Sequence, residues 1–264
     1  MPELTRRSFT SGAAACLAAL GAAPALAATP DPTATPAPAA TPNPAATPHI
    51  AAPARAQVLW SSQQWDLAAF AALTHAKARA KLIYNITEVE DGGSLQSIRT
   101  TLNGLHYGFG VPHDQITIVA ALHGQANLLN YADAMWSKYA VGERLGIKDP
   151  ETGLPAIRNP YAPSRFTPEA ALAAAATDPN DPASPLNDAT VEGLQRRGVR
   201  FLSCHAGLEG TVRQMVKQFH TQEDPEAIVR DMVAHKLPGV LVVASISAAM
   251  TLLQSEGGYG LLNA

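Results

Sequence analysis

Charge is scarce in this sequence. Only 16% of its 264 residues are Asp, Glu, Lys or Arg, against roughly 25% in ordinary soluble domains. That excludes a charge-rich disordered chain. Cysteine is nearly missing, with two in all, so no disulfide scaffold is available. Aromatic residues make up 6% and no glycine repeat runs through the chain, which excludes a collagen-like polymer. There is no excess of basic residues: 19 Lys and Arg face 22 Asp and Glu, for a net charge of -3. Nothing there suggests a nucleic-acid surface. Several catalytic signatures are also absent. No Gly-x-x-x-x-Gly-Lys phosphate loop, no Cys-x-x-Cys and no Gly-x-Ser-x-Gly elbow occurs. Gly108-Phe109-Gly110 lacks the third glycine and the preceding strand of a dinucleotide fingerprint.

What is present begins with an address. Arg6 and Arg7 precede Phe9, Gly12 to Leu26 is a run of small uncharged residues, and Ala25-Leu26-Ala27 has the small-x-small form of a cleavage site. Residues 1–27 read as a twin-arginine secretory signal. The apolar run is too short and too alanine-rich for a membrane span, so no span is expected after cleavage. Cleavage would remove Cys16 and leave Cys204 as the sole cysteine, with no intramolecular disulfide possible. The expected location is the periplasm.

Residues 28–56 are almost entirely Ala, Thr and Pro, with prolines at 30, 32, 36, 38, 42, 44, 48 and 53. Each proline fixes φ and deletes an N–H donor. The segment has too little bulky apolar surface to offset its ordering entropy, so it reads as a disordered linker.

From residue 57 to 264 strand-like and helix-like patterns alternate. Helical spacing runs from Asp66 to Lys81, with Leu67, Phe70, Ala71 and Leu73 clustered and Trp60 and Trp65 as an N-terminal flap. Lys81 to Ile86 reads as a strand. Ser94 is placed to cap a helix whose apolar face is Leu95, Ile98, Leu102 and Leu105. Gln115 to Leu122 is the clearest buried strand. One helix is expected to carry Leu128, Leu129, Ala132, Met135, Trp136 and Tyr139. Residues 141–187 break the rhythm with eight prolines and Asp-rich turns, and read as an insertion in which only Pro168 to Ala176 forms helix. The alternation then resumes: a helix over Asp188–Arg197, a strand over Val199–Ser203, helices on Val212–Phe219 and Pro225–His235, a strand over Val240–Ala244, a helix from Ile246 to Leu253 and a short strand near Tyr259–Leu262. Such alternation implies an α/β three-layer sandwich with a mainly parallel sheet of about five strands.

In open α/β sheets ligands bind beyond the carboxyl ends of the strands. Two strands end in chemistry there: His123 after the second and Cys204-His205 after the third. A cysteine at a strand-to-helix junction faces backbone N–H groups that stabilise a thiolate, and a protonated His205 beside it would add to that. A lone cysteine is also a common packing residue, and a histidine a common structural hydrogen-bonding residue. Both readings stay open from the residues alone. His106, His113, His123 and His205 are too scattered in sequence to form a metal motif, and nothing calls for a cofactor.

Gly198-Val199-Arg200-Phe201-Leu202-Ser203-Cys204, Pro238 to Ala244, Gln254 to Tyr259 and the Ile116–Gly124 strand with the Leu95–Leu105 helix before it together resemble the DsrE/DsrF-like family of sulfur-relay proteins. The likeness covers residues 80–140 and 188–262 and is closest to members exported with a twin-arginine signal. The resemblance implies a DsrE-like α/β fold assembled as a homo-oligomer, a trimer or hexamer. It also implies a persulfide on a cysteine ending the third strand, the position of Cys204, with a sulfur-donor or acceptor protein as partner. This chain departs from the small family members by its 141–187 insertion and by an extra glycine, Gly258, in the terminal motif. Sulfur-carrier chemistry and a non-enzymatic module binding a small ligand or protein, with a structural Cys204, are the two leading functions for this pattern, and a metal-assisted enzyme built on the histidines is a third.

Overall fold

A computed structural model describes residues 64–167, 178–219 and 221–264, all within one unit spanning Ala51–Ala264. The expected signal at 1–27, the linker at 28–56, Trp60 and the Pro168–Ala176 helix lie outside the described residues.

Five parallel strands form one sheet: β1 (Ala80–Ile86), β2 (Ile116–Leu122), β3 (Arg200–Cys204), β4 (Leu241–Val243) and β5 (Gly260–Asn263), in the order β4-β3-β2-β1-β5. The chain therefore steps across the sheet from β1 to β4 and then crosses to the opposite edge. Right-handed crossovers in opposite directions place their helices on opposite faces. One face is covered by α2 (Gly93–Asn103), α3 (Asp133–Lys138), α5 (Val191–Arg196), α6 (His205–Gln218) and α7 (Pro225–Ala234); the other by α1 (Leu67–Thr74) and α8 (Ile246–Ser255).

The strands serve both layers because successive side chains alternate. Tyr84, Ile86, Ile118, Ala120, Leu122 and Phe201 enter the larger apolar cluster, with Leu95, Ile98, Leu128, Trp136, Leu194, Leu208 and Met232 above them. Ile83, Val119, Ala121, Leu202, Cys204 and Val243 enter the smaller one, closed by Ile246, Ala249, Leu253 and Tyr259. This is the expected α/β sandwich, and its sheet is entirely parallel. Among the described residues no helix is long and apolar enough to cross a membrane.

Five local expectations need correction. The helical spacing from Asp66 ends early, at Thr74, because Ala80 already pairs with β2. Ser94 is not the cap of α2: Gly92 holds that position at φ 82°, and Ser94 is buried as the second residue of the helix. The single helix expected through Leu128 and Tyr139 is broken. A 3-10 turn at Ala126–Asn130 gives way at extended Tyr131, which bridges to Lys236, before α3 begins. The helix expected from Asp188 starts at Val191, because the Thr190 hydroxyl accepts the Gly193 N–H as its cap. The insertion opens in a short helix, α4 (Val141–Leu145), where irregular chain was expected. There Gly142 packs so closely on the Ala156 backbone that no other side chain fits.

The insertion is tied down by one buried amide. Asn159 is 1% exposed; its Nδ2 donates to the carbonyls of Leu129 (2.8 Å) and Tyr131 (3.1 Å), and its Oδ1 accepts the Tyr161 N–H. These bonds bind residues 159–161 to the chain just beyond β2.

Candidate functional site

β3 runs into α6 without an intervening loop, and Cys204 is both the last strand residue and the helix cap. Its Sγ accepts the Gly207 N–H at 3.2 Å, the bond a Ser or Asp side chain makes at an ordinary cap. The sulfur thus lies at the positive end of a 14-residue helix. The residue is 7% exposed, with its side chain on the smaller apolar cluster. It is a free cysteine.

The backbone on either side of the sulfur is clamped. Asn127 is fully buried; its Nδ2 donates to the Cys204 carbonyl at 2.9 Å and its Oδ1 accepts the Cys204 N–H at 3.2 Å. The same Oδ1 accepts the Ser203 hydroxyl at 2.9 Å, and Ser203 shares a hydrogen with the Tyr131 hydroxyl at 2.8 Å. Asn130 donates to the Leu202 carbonyl at 3.2 Å. Burial, the largest influence, pushes the Tyr131 phenol well above its ordinary range. Buried polar groups of this kind persist only when hydrogen-bonded, and here the pairing fixes the end of β3 to the turn after β2.

The two histidines stand at the same carboxyl edge. His123 follows β2, and its Nε2 lies 2.7 Å from Asn85 Oδ1, whose own amide nitrogen donates to Asn263 Oδ1 at 2.9 Å. A proton on Nε2 satisfies that contact and leaves Nδ1 as an acceptor. His205 opens α6. It lies 3.8 Å from the Glu209 carboxylate one turn on, its ring meets Trp65 edge-on at 5.2 Å, and its Nδ1 is buried without a hydrogen-bond partner. Burial lowers the pKa of both imidazoles; for His205 Glu209 opposes that without reversing it.

Cys204 and His123 flank one residue. A methyl group built on Gly207 would sit 3.2 Å from the Cys204 sulfur and 3.7 Å from the His123 Cβ. The three sequence-predicted residues, Cys204, His205 and His123, therefore gather at one end of the sheet. His106 and His113 do not join them; their rings stack at 3.6 Å elsewhere, ahead of β2. Among the described residues no three His, Cys, Asp or Glu side chains converge as a metal-binding group.

The residues missed from sequence are the supporting amides, Asn85, Asn127, Asn130 and Asn263. Asn127 and Asn130 did carry a signal, two amides three apart in an otherwise apolar turn. The strand ends place one further feature beside the site: a small apolar cleft of about 130 Å³ lined by Trp65, Phe70, Val243, Ser245 and Leu252. Compared with protein-family models, curated proteins and solved structures, the chain gives no significant match to any of them.

Proposed function

We propose that this is an exported DsrE-like protein whose Cys204 carries sulfur as a persulfide. The observation that supports it is the Cys204 sulfur held at the N-terminus of α6 by the Gly207 N–H. Such a site stabilises a thiolate, the reactive form of cysteine. The Cys204 thiolate attacks the terminal sulfane sulfur of a polysulfide or donor persulfide. A sulfur–sulfur bond forms at Cys204, the donor's own sulfur–sulfur bond breaks, and the donor leaves as a thiolate. Transfer onward reverses this: an acceptor thiolate takes the outer sulfur and Cys204 leaves as the thiolate. No external oxidant or reductant enters. His123 and His205, whose pKa burial lowers, stand at the same end of the sheet as bases for the proton that the Cys204 thiol loses on forming the thiolate, and later for that of the acceptor thiol.

The test is intact mass after incubation with inorganic polysulfide. Wild type gains one sulfur, about 32 Da per atom, and Cys204→Ser gains none. Absence of an adduct on wild type, or the same adduct on Cys204→Ser, ends this reading.

A second reading rests on a different observation, the near-complete burial of Cys204 against Ile83, Val119 and Val243. On it Cys204 is packing, and the domain is a binding module that uses its acidic, proline-rich insertion as the recognition surface. A thiol that reacts with an aromatic disulfide reagent only after denaturation selects this reading. Both readings place the protein in the periplasm through the Arg6-Arg7 signal and as a homo-oligomer, trimeric or hexameric. Fractionation with a twin-arginine export mutant and light scattering check these two points.

A further inference from the structure

The insertion creates a second concave site that none of Cys204, His205 or His123 lines. A groove of about 580 Å³ runs between the first turns of α2 and two described stretches of chain, residues 160–165 and 179–190. α2 begins just beyond the carboxyl end of β1, the side of the sheet where α/β folds place their ligands. The volume suits a small molecule. The wall is set firmly: Tyr161 packs against buried Gly92, where a methyl group would come within 2.9 Å of the ring, and Asn159 fixes the Tyr161 backbone from below.

The chemistry of the wall is cationic and short of partners. Arg99 projects from α2 into the groove. Among the described residues its Nε is buried without a hydrogen-bond partner, and Nη2 donates to the neighbouring Thr100 hydroxyl at 3.1 Å. A guanidinium carries five N–H donors, and the bond to Thr100 uses one, so the Arg99 side chain keeps donors for an anion in the groove. Arg165 reaches the same groove from the insertion; Nη2 donates to the Asn187 carbonyl at 3.1 Å, and Nε stands 3.8 Å from Asp188. That carboxylate is already taken by Ser164 at 2.6 Å and Thr190 at 2.9 Å. A third guanidinium, Arg197, lies close enough for the Arg99 charge to add to the depression that burial imposes on it, to about 10. Among the described residues one carboxylate, Asp91, faces the groove against these cations, and Gln96, Tyr161 and Asn180 supply neutral polar and ring surface.

We infer that this groove binds a small organic anion, a carboxylate or phosphate head group on a hydroxylated body, with the head at Arg99 and Arg165 and the hydroxyls at Asp91 and Gln96. Asp91 accepts hydrogen bonds from hydroxyls and repels a second anionic centre, which restricts the ligand to one charged end. Two guanidinium groups from different segments match the two oxygens of such a head. The inference is independent of Cys204.

The experiment is calorimetric titration of the full chain with inorganic phosphate, glucose 6-phosphate, glucuronate and, as the neutral control, glucose. The anions bind and glucose does not. Arg99→Gln and Arg165→Gln each weaken binding about tenfold or more, the usual scale for a lost charge-assisted hydrogen bond. Asp91→Asn tightens phosphate binding. Circular dichroism of each variant confirms that the fold is retained, and Arg99→Lys, which keeps charge without the paired donors, gives a second reading at the same position. A sugar ester tighter than free phosphate assigns the site to the organic anion; equal affinities assign it to the head group alone. No binding by any anion at millimolar concentration, equal binding of glucose, or affinities unchanged in both arginine variants overturns the proposal.

Discussion

The Cys204 sulfur accepts the Gly207 N–H at 3.2 Å and so caps the helix that begins at the next residue. One atom is thereby both a structural cap and the candidate nucleophile. The two roles separate by substitution. Cys204→Ser keeps an acceptor at the cap and should stay within about 1 kcal/mol of wild type, whereas Cys204→Ala loses it and should fall by about 1 kcal/mol or more. Urea denaturation measures both. Equal stability of the two variants would show that the cap bond contributes nothing.

Gly207 lies directly against the same sulfur. An added methyl would press on Cys204 Sγ at 3.2 Å and come into ordinary contact with the His123 Cβ at 3.7 Å. Alanine also favours the helix by about 0.5–1 kcal/mol over glycine. Gly207→Ala should therefore fold normally yet slow alkylation of Cys204 by iodoacetamide several-fold. An unchanged alkylation rate would mean the reagent approaches from another side.

Asn127 bonds both the N–H and the carbonyl of Cys204, and the Ser203 hydroxyl besides. Asn127→Ala leaves those groups buried without that partner and should cost about 3 kcal/mol, while Tyr131→Phe, which removes one shared hydrogen bond at Ser203, should cost about 1 kcal/mol. Chemical denaturation of the two variants gives the comparison directly. A smaller loss for Asn127→Ala than for Tyr131→Phe would place the anchor elsewhere.

Three histidines should make the fold acid-sensitive. Burial is the first cause of the lowered pKa of His113, His123 and His205, with His106 and Arg197 adding to it at His113. A depressed value means the native state binds fewer protons than the unfolded chain. Their contribution is complete above the unfolded imidazole value and is lost as pH falls through the folded values. The urea midpoint should therefore be lower near pH 5.5 than near pH 7.5, with a smaller difference in His205→Gln. Equal midpoints at the two pH values would contradict this.

Gly142 joins the insertion to the domain through the Ala156 backbone, which a methyl would overlap. Gly142→Ala should cost roughly 2 kcal/mol or more through overpacking in a region that cannot yield cheaply. Limited proteolysis should then cut the segment after α4 faster than in wild type. An unchanged cleavage pattern would show that the segment is held by other contacts.

Much of the fold was legible because it rests on local pattern. The β-branched run at Ile116–Leu122 is a strand buried on both faces, and the Asp224-Pro225 start of α7 is a cap followed by a proline at the first turn. The misreadings arose where distant partners outweigh local preference. Helical spacing continues through Leu128 to Tyr139, but the amides of Asn127 and Asn130 bond to the backbone of β3, and those bonds halt the helix at Tyr131. The turn at Glu90–Gly92, with all three residues at positive φ, shifts the start of α2 away from the cap that Ser94 suggested.

The candidate site divides the same way. Cys204, His205 and His123 stood out as chemistry at strand ends, since a parallel sheet brings every strand's carboxyl end to one edge. Their supporting shell, Asn85, Asn127 and Asn263, and the arginine-lined groove are formed by residues separated by up to 178 positions.

Composition and periodicity alone determined that this chain builds a parallel α/β sandwich, because alternation and helical spacing are read from neighbours along the chain. Tertiary structure alone decided which amide holds the Cys204 backbone, which glycine lies against its sulfur and which arginines line the second groove. Those depend on the order β4-β3-β2-β1-β5 and on where the insertion folds back, and burial and pairing between remote segments leave no periodic trace in sequence.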